Sequence, residues 1–322
     1  METVGLLIEF KAGRVKPANL GMATAVRKEG HTVVGLVVDA SAKEAVEALG
    51  TYGVDRVIHI ETGQDAGAWN PVVRAGAVAA AMEKFQISSL VGLASPDGRD
   101  VLPRIAADLD APLVMDCIEI DIARRRAKTS QYSGKTIATL SLRGIHYIYG
   151  IRPNVIHPVP HTTSPEITSF QFSPEPAADY QVLETRTAEI GIRPLSEAEI
   201  IVSGGRGMKS GENFKLLQNL AANLGASVGA SRVAVDNGWV PYAYQVGQTG
   251  AKVNPRVYIA CGISGSVQHF AGMKTSGMII AINNDPKAAI ISNCDYYAVG
   301  DLFEIVPALV ATLDKAKSSA DG

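Results

Sequence analysis

The sequence predicts an α/β protein of two units: an N-terminal three-layer domain built on a parallel sheet with an antiparallel extension, and a C-terminal doubly wound α/β domain. Three observations lead there. Short apolar runs alternate with helix-like stretches from Val4 to Leu109, the pattern of a parallel sheet wrapped by helices. β-like runs then crowd together between Leu113 and Ile151. After a proline-rich connection, strand–helix alternation resumes at Ile200.

Val4–Ile8 reads as the first strand, and Asn19–Glu29 as a helix closed by Gly30, in the position glycine commonly takes past a helix end. Thr32–Val38 is the next strand. Ser41 caps Ala42–Leu49, with Gly50 as its terminal glycine. Arg56–Ile60 is a strand, and Asn70 caps the alanine-rich helix Pro71–Phe85, whose proline takes the first helical position. Ser88–Leu93 is a strand, followed by Ser95-Pro-Asp-Gly98 and the helix Asp100–Leu109. The runs Leu113–Ile122, Ala127–Tyr132, Thr136–Leu142 and Ile145–Ile151, with a turn at Ser133-Gly-Lys135, predict the antiparallel extension at the sheet's edge.

Prolines make His157–Pro165 a connection rather than a paired strand. Ile167–Phe172 and Tyr180–Glu184 read as strands beyond it. A boundary near residue 193 separates domains 1–192 and 193–322. The second contains strand Ile200–Ser203, helix Asn213–Leu224, strand Ala226–Gly229, strand Val257–Cys261, helix Ser266–Ala271, strand Met278–Asn283 and helix Leu302–Lys317. No internal repeat stands out.

Composition narrows the function. The 322 residues are 47% hydrophobic and 19% charged, ample for a large core, and the formal charge of −2 lacks the basic footprint of a nucleic-acid binder. Only Arg124-Arg-Arg-Ala-Lys128 is locally basic, and it reads as a solvated surface run. Three cysteines, Cys117, Cys261 and Cys294, form no CxxC and fit a reducing compartment, with Cys261 a small core residue. They and the histidines His31, His59, His146, His157 and His161 show no metal-ligand spacing, so no metal is expected. The N-terminus lacks signal- and transit-peptide features, and no apolar run reaches the ~18 residues of a membrane span. The expectation is a soluble intracellular protein, in a bacterial cytoplasm or, as the alternative, the mitochondrial matrix.

Ligand-type residues gather where the strands of the second domain end, the place where open α/β sheets bind ligands. Ser203-Gly-Gly-Arg-Gly-Met-Lys-Ser-Gly211 stands between a strand and a helix, and its glycines with Arg206 favour an anion over a plain turn. Ser231-Arg232 lies among apolar and small residues, either directing its charge at an electron-rich ring or pairing internally with Asp236. Gly247-Gln-Thr-Gly250 is a hairpin turn or a close backbone approach to a flat ligand. Gly262-Ile-Ser-Gly265 breaks the G-x-S-x-G pattern, which rejects a serine hydrolase. His269 reads as a ligand contact able to supply a donor or a full charge, beside a helix start that adds partial positive charge. Asn283 ends a strand, and Asp301 is placed to cap the last helix. Together these clusters imply one extended ligand of dinucleotide size, held mainly by backbone and neutral polar groups.

The order Ser-Gly-Gly-Arg-Gly, Gly-Ala-Ser-Arg, Gln-Val-Gly-Gln-Thr-Gly, Gly-Ile-Ser-Gly-x-x-Gln-His, Ala-Ile-Asn and Asp-Leu-Phe, spread over residues 200–307, resembles the α subunit of electron transfer flavoprotein. The resemblance extends more weakly over Gly98-Arg-Asp-Val-Leu-Pro-Arg104, Asp116-Cys117 and Ile151-Arg-Pro-Asn154. It implies FAD in the second domain, a heterodimer with a β subunit that holds AMP or a second FAD, and a first domain forming much of the subunit interface. It further implies that Arg206 contacts the FAD pyrophosphate and that Ser231 and Arg232 lie at the isoalloxazine. Thr249 would bond flavin N5, with Val246, Gly247 and Gln248 beside it. His269 would reach flavin O2, while Ser264, Gly265, Ser266, Val267 and Gln268 line the ribityl chain and phosphates. Asn283, Asp301 and Leu302 would hold the adenosine end. Arg232, Thr249 and His269 would then tune the flavin, favouring negative charge near N1 and O2 on one-electron reduction.

By this resemblance the chain is an electron carrier, accepting electrons from flavin dehydrogenases such as acyl-CoA dehydrogenases in fatty-acid oxidation and passing them singly to a quinone oxidoreductase. The alternatives are a bifurcating, NADH-oxidising electron transfer flavoprotein, a NAD-binding enzyme of the sirtuin or deoxyhypusine synthase type, and a cofactor-free scaffold. Two positions depart from the family: Tyr297 stands where a glycine is common in Ala-Asp-Tyr-Gly, and Gly300 replaces a common alanine.

Overall fold

A computed structural model describes residues 2–63, 69–132, 136–173 and 195–320. The expected turn at Ser133–Lys135, the expected strand Tyr180–Glu184 and the boundary near residue 193 lie outside the described residues. The chain divides into two compact units, Met1–Gln131 with Thr136–Thr187, and Tyr132–Lys135 with Ala188–Gly322.

The first unit comprises β1 (Thr3–Leu7), the short strands β2 (Phe10–Lys11) and β3 (Arg14–Val15), α1 (Ala18–Arg27), β4 (Thr32–Val38), α2 (Ala42–Leu49), β5 (Arg56–Glu61), α3 (Pro71–Lys84), β6 (Ser89–Leu93) and α4 (Pro96–Asp108). β7 (Leu113–Asp121), β8 (Arg126–Gln131), β9 (Thr136–Ser141), β10 (Tyr147–Ile151) and β11 (Glu166–Gln171) follow. Its main sheet runs β11-β5-β4-β1-β6-β10-β7-β8-β9. All neighbours from β11 to β7 are parallel, and β7-β8-β9 is antiparallel. Apolar layers cover both faces: Val4, Leu6 and Val37 pack with Met22 and Val26 of α1, while Leu36, Ile58 and Leu90 pack with Val78 and Met82 of α3 and Leu102 of α4. This is the three-layer unit expected.

Local chemistry starts the helices. Ser41 Oγ accepts from Glu44 N, and Asn70 Oδ1 from the backbone N–H groups of Val72 and Val73, each satisfying donors a helix start leaves unpaired. Ser95 caps α4 in the same way, through Gly98 N at 3.0 Å, with Pro96 at the first position. The helix therefore begins at Pro96 rather than at Asp100. Gly30 has the left-handed φ of +76° its place suggests, but Gly50 has φ −59°. Gly50 is needed instead for close approach, since a Cβ there would stand 3.1 Å from Pro165 Cδ and 3.2 Å from the Thr163 carbonyl oxygen.

One strand differs from expectation. The run ending at Ile151 is not part of the antiparallel edge: β10 inserts between β6 and β7, parallel to both. Its Tyr-Ile-Tyr-Gly-Ile run suits a place covered on both faces, and Ile148 to Ile151 are buried, whereas β9 carries mostly exposed residues. The basic run beside β8 is drawn into ion pairs, Arg124 with Asp121, Arg125 with Glu2 and Lys128 with Glu119, rather than left simply solvated.

The second unit comprises β12 (Ile200–Gly204), α5 (Phe214–Leu224), β13 (Ser227–Ala230), α6 (Arg232–Asp236), β14 (Val257–Cys261), α7 (Val267–Met273), β15 (Met278–Asn283), β16 (Tyr296–Val299) and α8 (Leu302–Ala320). Its sheet is wholly parallel, in the order β13-β12-β14-β15-β16. Val202, Ile259 and Ile282 face Phe214, Leu217 and Val306, while Ile201, Tyr258 and Ala281 share the other layer with Met273. Helices thus cover both faces, as a doubly wound unit requires. α6 and β16 were not expected, because one is too short to show a helical period and the other is a four-residue, largely exposed edge strand. Strand order reverses between β12 and β14, which locates the ligand crevice at the loops after those strands.

No helix among the described residues is long and apolar enough to cross a membrane. No His, Cys, Asp and Glu cluster among them could hold a metal.

Candidate functional site

A cavity of about 420 Å³ in the second unit is lined by Ser231, Arg232, Val246, Gly247, Gln248, Thr249, Ser266, Gln268 and His269, all singled out by the sequence, together with Gln245 and Val233. A smaller cavity of about 190 Å³ lies in the first unit, beside Asp39, Arg74 and Asp97, and contains none of the expected site residues.

Ser231 stands between β13 and α6, at the N-cap of the helix. Its N–H donates to the Gly204 carbonyl at 2.9 Å, locking the loop to the end of β12, yet its buried Oγ has no hydrogen-bond partner. Arg232, the first residue of α6, is exposed rather than buried among apolar groups. Its Nε lies 3.2 Å from Asp236 Oδ2, with both side chains more than half exposed. The internal pair therefore forms, but such pairs are worth ~0–1 kcal/mol and hold the guanidinium loosely.

Gln245 to Ala251 form the opposite wall. Gln245 is buried, and its backbone carbonyl accepts from the N–H of Ala251 at 2.7 Å, closing the turn. Its Nε2 donates to Thr249 Oγ1 at 3.0 Å, which leaves the threonine O–H as a donor toward the cavity. The Thr249 carbonyl is held by the Tyr242 hydroxyl. Gln248 N donates to the Gln268 carbonyl at 2.8 Å, so the turn rests on α7.

His269 is buried on α7. Its Nε2 lies 3.0 Å from the Tyr258 hydroxyl, and its buried Nδ1 has no hydrogen-bond partner. Burial pushes its pKa down from 6.5 to about 4, against a smaller upward pull from the Val246 carbonyl. The ring is neutral near pH 7, so His269 brings a polar nitrogen and not the full charge considered from the sequence. Ser266 caps α7, which has only seven residues, by accepting from His269 N at 3.4 Å.

The remaining expected residues lie outside this cavity. Arg206 is exposed in the loop after β12; its backbone carbonyl accepts from Lys209 N at 3.1 Å, while its guanidinium makes no hydrogen bond or ion pair with a described residue. The flanking glycines let this loop pack against Gly262. A Cβ on Gly205 would stand 2.3 Å from the Gly262 carbonyl oxygen, and one on Gly207 would stand 2.7 Å from Gly262 Cα. Ser264 and Val267 are exposed, and Gly265 takes a left-handed φ of +81° with no room for a side chain against Ile290.

Asn283 is committed internally: Nδ2 donates to the Ile263 carbonyl at 2.9 Å, and Oδ1 accepts from Asp285 N at 3.0 Å. Its amide thereby ties the loop after β14 to the end of β15. Asp301 caps α8 through Phe303 N at 2.9 Å. Leu302 is core, packed over Gly262, so its side chain is not presented to a ligand. Tyr297 projects from the exposed edge strand β16, where its ring does not crowd the core. Cys261 is wholly buried, its thiol pushed up to about 12 by desolvation.

Sequence reasoning did not include Gln245 or Tyr258 among the site residues. Gln245 stands in the motif that contains Thr249. Tyr258 carried a different signal: a tyrosine inside an apolar central strand needs a buried partner for its hydroxyl, and His269 is that partner.

Comparisons with known proteins identify the family. The family profile of the electron transfer flavoprotein FAD-binding domain matches residues 194–274, and that of the electron transfer flavoprotein domain matches residues 4–175. The chain is 33% identical over 314 residues to electron transfer flavoprotein subunit alpha of Syntrophomonas wolfei, covering 96% of this chain and 98% of that protein. It is 39% identical over 286 residues to the Bacillus subtilis subunit alpha, covering 86% of each. Against the mitochondrial subunit alpha of Dictyostelium discoideum, identity is 35% over 329 residues, with coverage of 97% and 92%.

Proposed function

The chain belongs to the electron transfer flavoprotein alpha-subunit family, and from that premise we propose that it holds FAD at the Ser231–Thr249–His269 cavity as one half of a heterodimeric electron carrier. Its electrons come from flavin dehydrogenases such as acyl-CoA dehydrogenases and leave singly to a quinone oxidoreductase. The partner is a β subunit with its own AMP or second FAD. The family membership displaces the sirtuin-like, deoxyhypusine synthase-like and scaffold alternatives.

One observation carries the reading of the site. Ser231 Oγ and His269 Nδ1 are both buried without partners, and both residues line the same cavity. A buried polar group left unpaired costs about 1–3 kcal/mol, which a ligand with matching polar atoms along one edge removes. A flat heteroaromatic ring is such a ligand, and the cavity volume lies within the ~300–1,000 Å³ typical of small-molecule sites.

FAD supplies the one-electron chemistry when bound, and the protein sets its orientation and electrostatics. Thr249 offers its O–H toward the ring, with its oxygen held by Gln245. Arg232 brings a permanent positive charge to the cavity, only weakly held by Asp236. Ser231 and His269 contribute polar atoms inside the cavity, and unpaired Arg206 is available to a pyrophosphate at the β12 loop. The loop Ser264–Gln268 then receives the chain between ring and phosphates, its course set by Gly265 and Asn283.

The test is the visible spectrum of the complex co-purified with its β partner, recorded during stepwise anaerobic reduction by dithionite and, separately, by NADH. A single bound flavin taking up electrons one at a time, unresponsive to NADH, is the expected result. Direct reduction of one of two flavins by NADH would make it a bifurcating carrier. A folded, colourless complex that cannot be reconstituted with FAD would sink the reading.

A further inference from the structure

We propose that Tyr258 is a positioning residue for His269: its hydroxyl donates to Nε2, holds the ring as the Nδ1–H tautomer, and so presents a hydrogen-bond donor to the cavity. The proposal rests on the reading of that cavity as the flavin site. It goes beyond it by assigning the proton to one nitrogen and naming the residue that keeps it there.

Alternation along β14 aims Tyr258 into the layer that contains α7, with Ile259 and Cys261 on the opposite face. Tyr258 is wholly buried, and Nε2 of His269 is 3.0 Å from its hydroxyl. The rings meet edge to face, with centroids 6.0 Å apart and planes at 62°. A phenol is a good donor and a poor acceptor, whereas the bare nitrogen of a neutral imidazole accepts well. A single contact between them therefore settles as O–H···N. Burial pushes the Tyr258 pKa further above its usual value, so the phenol keeps its proton. Ser203 Oγ is buried without a hydrogen-bond partner among the described residues, so it does not occupy the phenol. That arrangement leaves the phenol's own proton for His269.

A neutral imidazole carries one N–H. With Nε2 accepting, the proton must sit on Nδ1, the buried atom with no hydrogen-bond partner among the described residues. Without Tyr258 the two tautomers would compete, and the Nε2–H form would turn a bare, electron-rich nitrogen toward the cavity. That form would repel the negative charge the site is built to favour. The tyrosine thus decides the sign of the histidine's contribution without touching the ligand.

The experiment is nitrogen-15 NMR of the histidine-labelled full chain in complex with its β partner, with and without FAD, using His269→Gln to assign the resonance among six histidines. The wild-type ring is expected to carry its proton on Nδ1 alone. Tyr258→Phe is expected to give a mixture of tautomers. In the FAD-loaded complex it should also lower the first one-electron midpoint by the equivalent of about tenfold, or about 59 mV for a one-electron couple. A wild-type proton on Nε2 would overturn the proposal, as would a loaded Tyr258→Phe complex with unchanged tautomer and midpoint. Where Tyr258→Phe fails to fold, the wild-type resonance alone decides. A complex that shows the Nδ1–H ring but takes up no FAD would remove the flavin reading and leave the tautomer assignment standing.

Discussion

The backbone of Gly247 passes so close over Gly272 that a Cβ at position 272 would stand 2.4 Å from the Gly247 nitrogen and 2.5 Å from its Cα. The turn that bears Gln248 and Thr249 therefore sits directly on α7, the helix that bears His269. The distance between two walls of the site is set by a contact in which neither residue has a side chain.

Gly272→Ala is expected to lift that turn. Overpacking of this kind typically costs about 1–3 kcal/mol, and FAD retention should weaken on the order of tenfold or more as the donors lose register. Flavin absorbance per protein after gel filtration, together with urea denaturation, measures both. A variant as stable and as fully loaded as wild type would show that the contact does not position the site.

Arg232→Ala is expected to leave stability within ~0.5 kcal/mol, since its pair with Asp236 is solvent-exposed. The first one-electron midpoint of the bound flavin should nevertheless fall, by the equivalent of on the order of 1–2 kcal/mol for a cation at an aromatic face. Potentiometry and denaturation of the same preparation separate the two effects. Loss of stability with an unmoved midpoint would make Arg232 a structural residue.

His269 couples stability to pH. Its folded pKa, about 4, lies below the usual 6.5, so the unfolded chain takes up the proton first. The contribution is fully present above pH 6.5 and is lost as pH falls toward 4, by up to ~3 kcal/mol. Urea midpoints of the flavin-free complex between pH 7.5 and 4.5 should fall more steeply for wild type than for His269→Gln. Parallel profiles would place the histidine in a more solvated setting than its burial indicates.

In the first unit, Asp116 and Arg152 form a buried bidentate pair, at 2.9 and 2.7 Å, with Asp116 in the left-handed region at φ +61°. Asp116→Leu should cost about 3–5 kcal/mol by taking the bidentate carboxylate away from a buried guanidinium. Adding Arg152→Met to it should recover part of the loss. A double variant no more stable than Asp116→Leu would assign the effect to the unusual backbone rather than to the charge.

The elements most legible in the sequence were those decided within a few residues. Ser41 and Asn70 cap helices by bonding N–H groups two or three positions away, so their roles show in a short window. Ser95 does the same, and reading Ser95-Pro-Asp-Gly98 as separate from the helix missed its first turn because a capping sequence and a turn use the same residue types. β10 was harder. Its neighbours β6 and β7 are chosen by packing on both faces of a sheet, and chain proximity pointed instead to the antiparallel edge.

Much of the site was legible for a similar reason. Ligand-facing residues come in short contiguous loops at strand ends, so Ser231-Arg232, Val246–Thr249 and Ser266–His269 could each be marked from composition, order and family resemblance. Which of the marked residues face the cavity was not legible. Asn283, Asp301 and Leu302 stand in equally suggestive places, yet they line no part of this cavity, and their side chains engage the Ile263 carbonyl, a helix cap and the core. Hydrogen-bond capacity is finite, and only three-dimensional neighbours reveal where it is used.

By itself the sequence determined the α/β class, the strand–helix alternation of both units, the family and the identity of most cavity residues, because periodicity, capping and motif order are local properties. Tertiary structure decided where β10 inserts, which residues converge on one cavity, that Arg232 is exposed, and that His269 is neutral and held by Tyr258. Those outcomes depend on burial and on contacts between groups far apart in the chain or on different elements. Desolvation and partner choice, which set a side chain's charge and its free hydrogen-bonding atoms, exist only once the sheet and helices have closed around it.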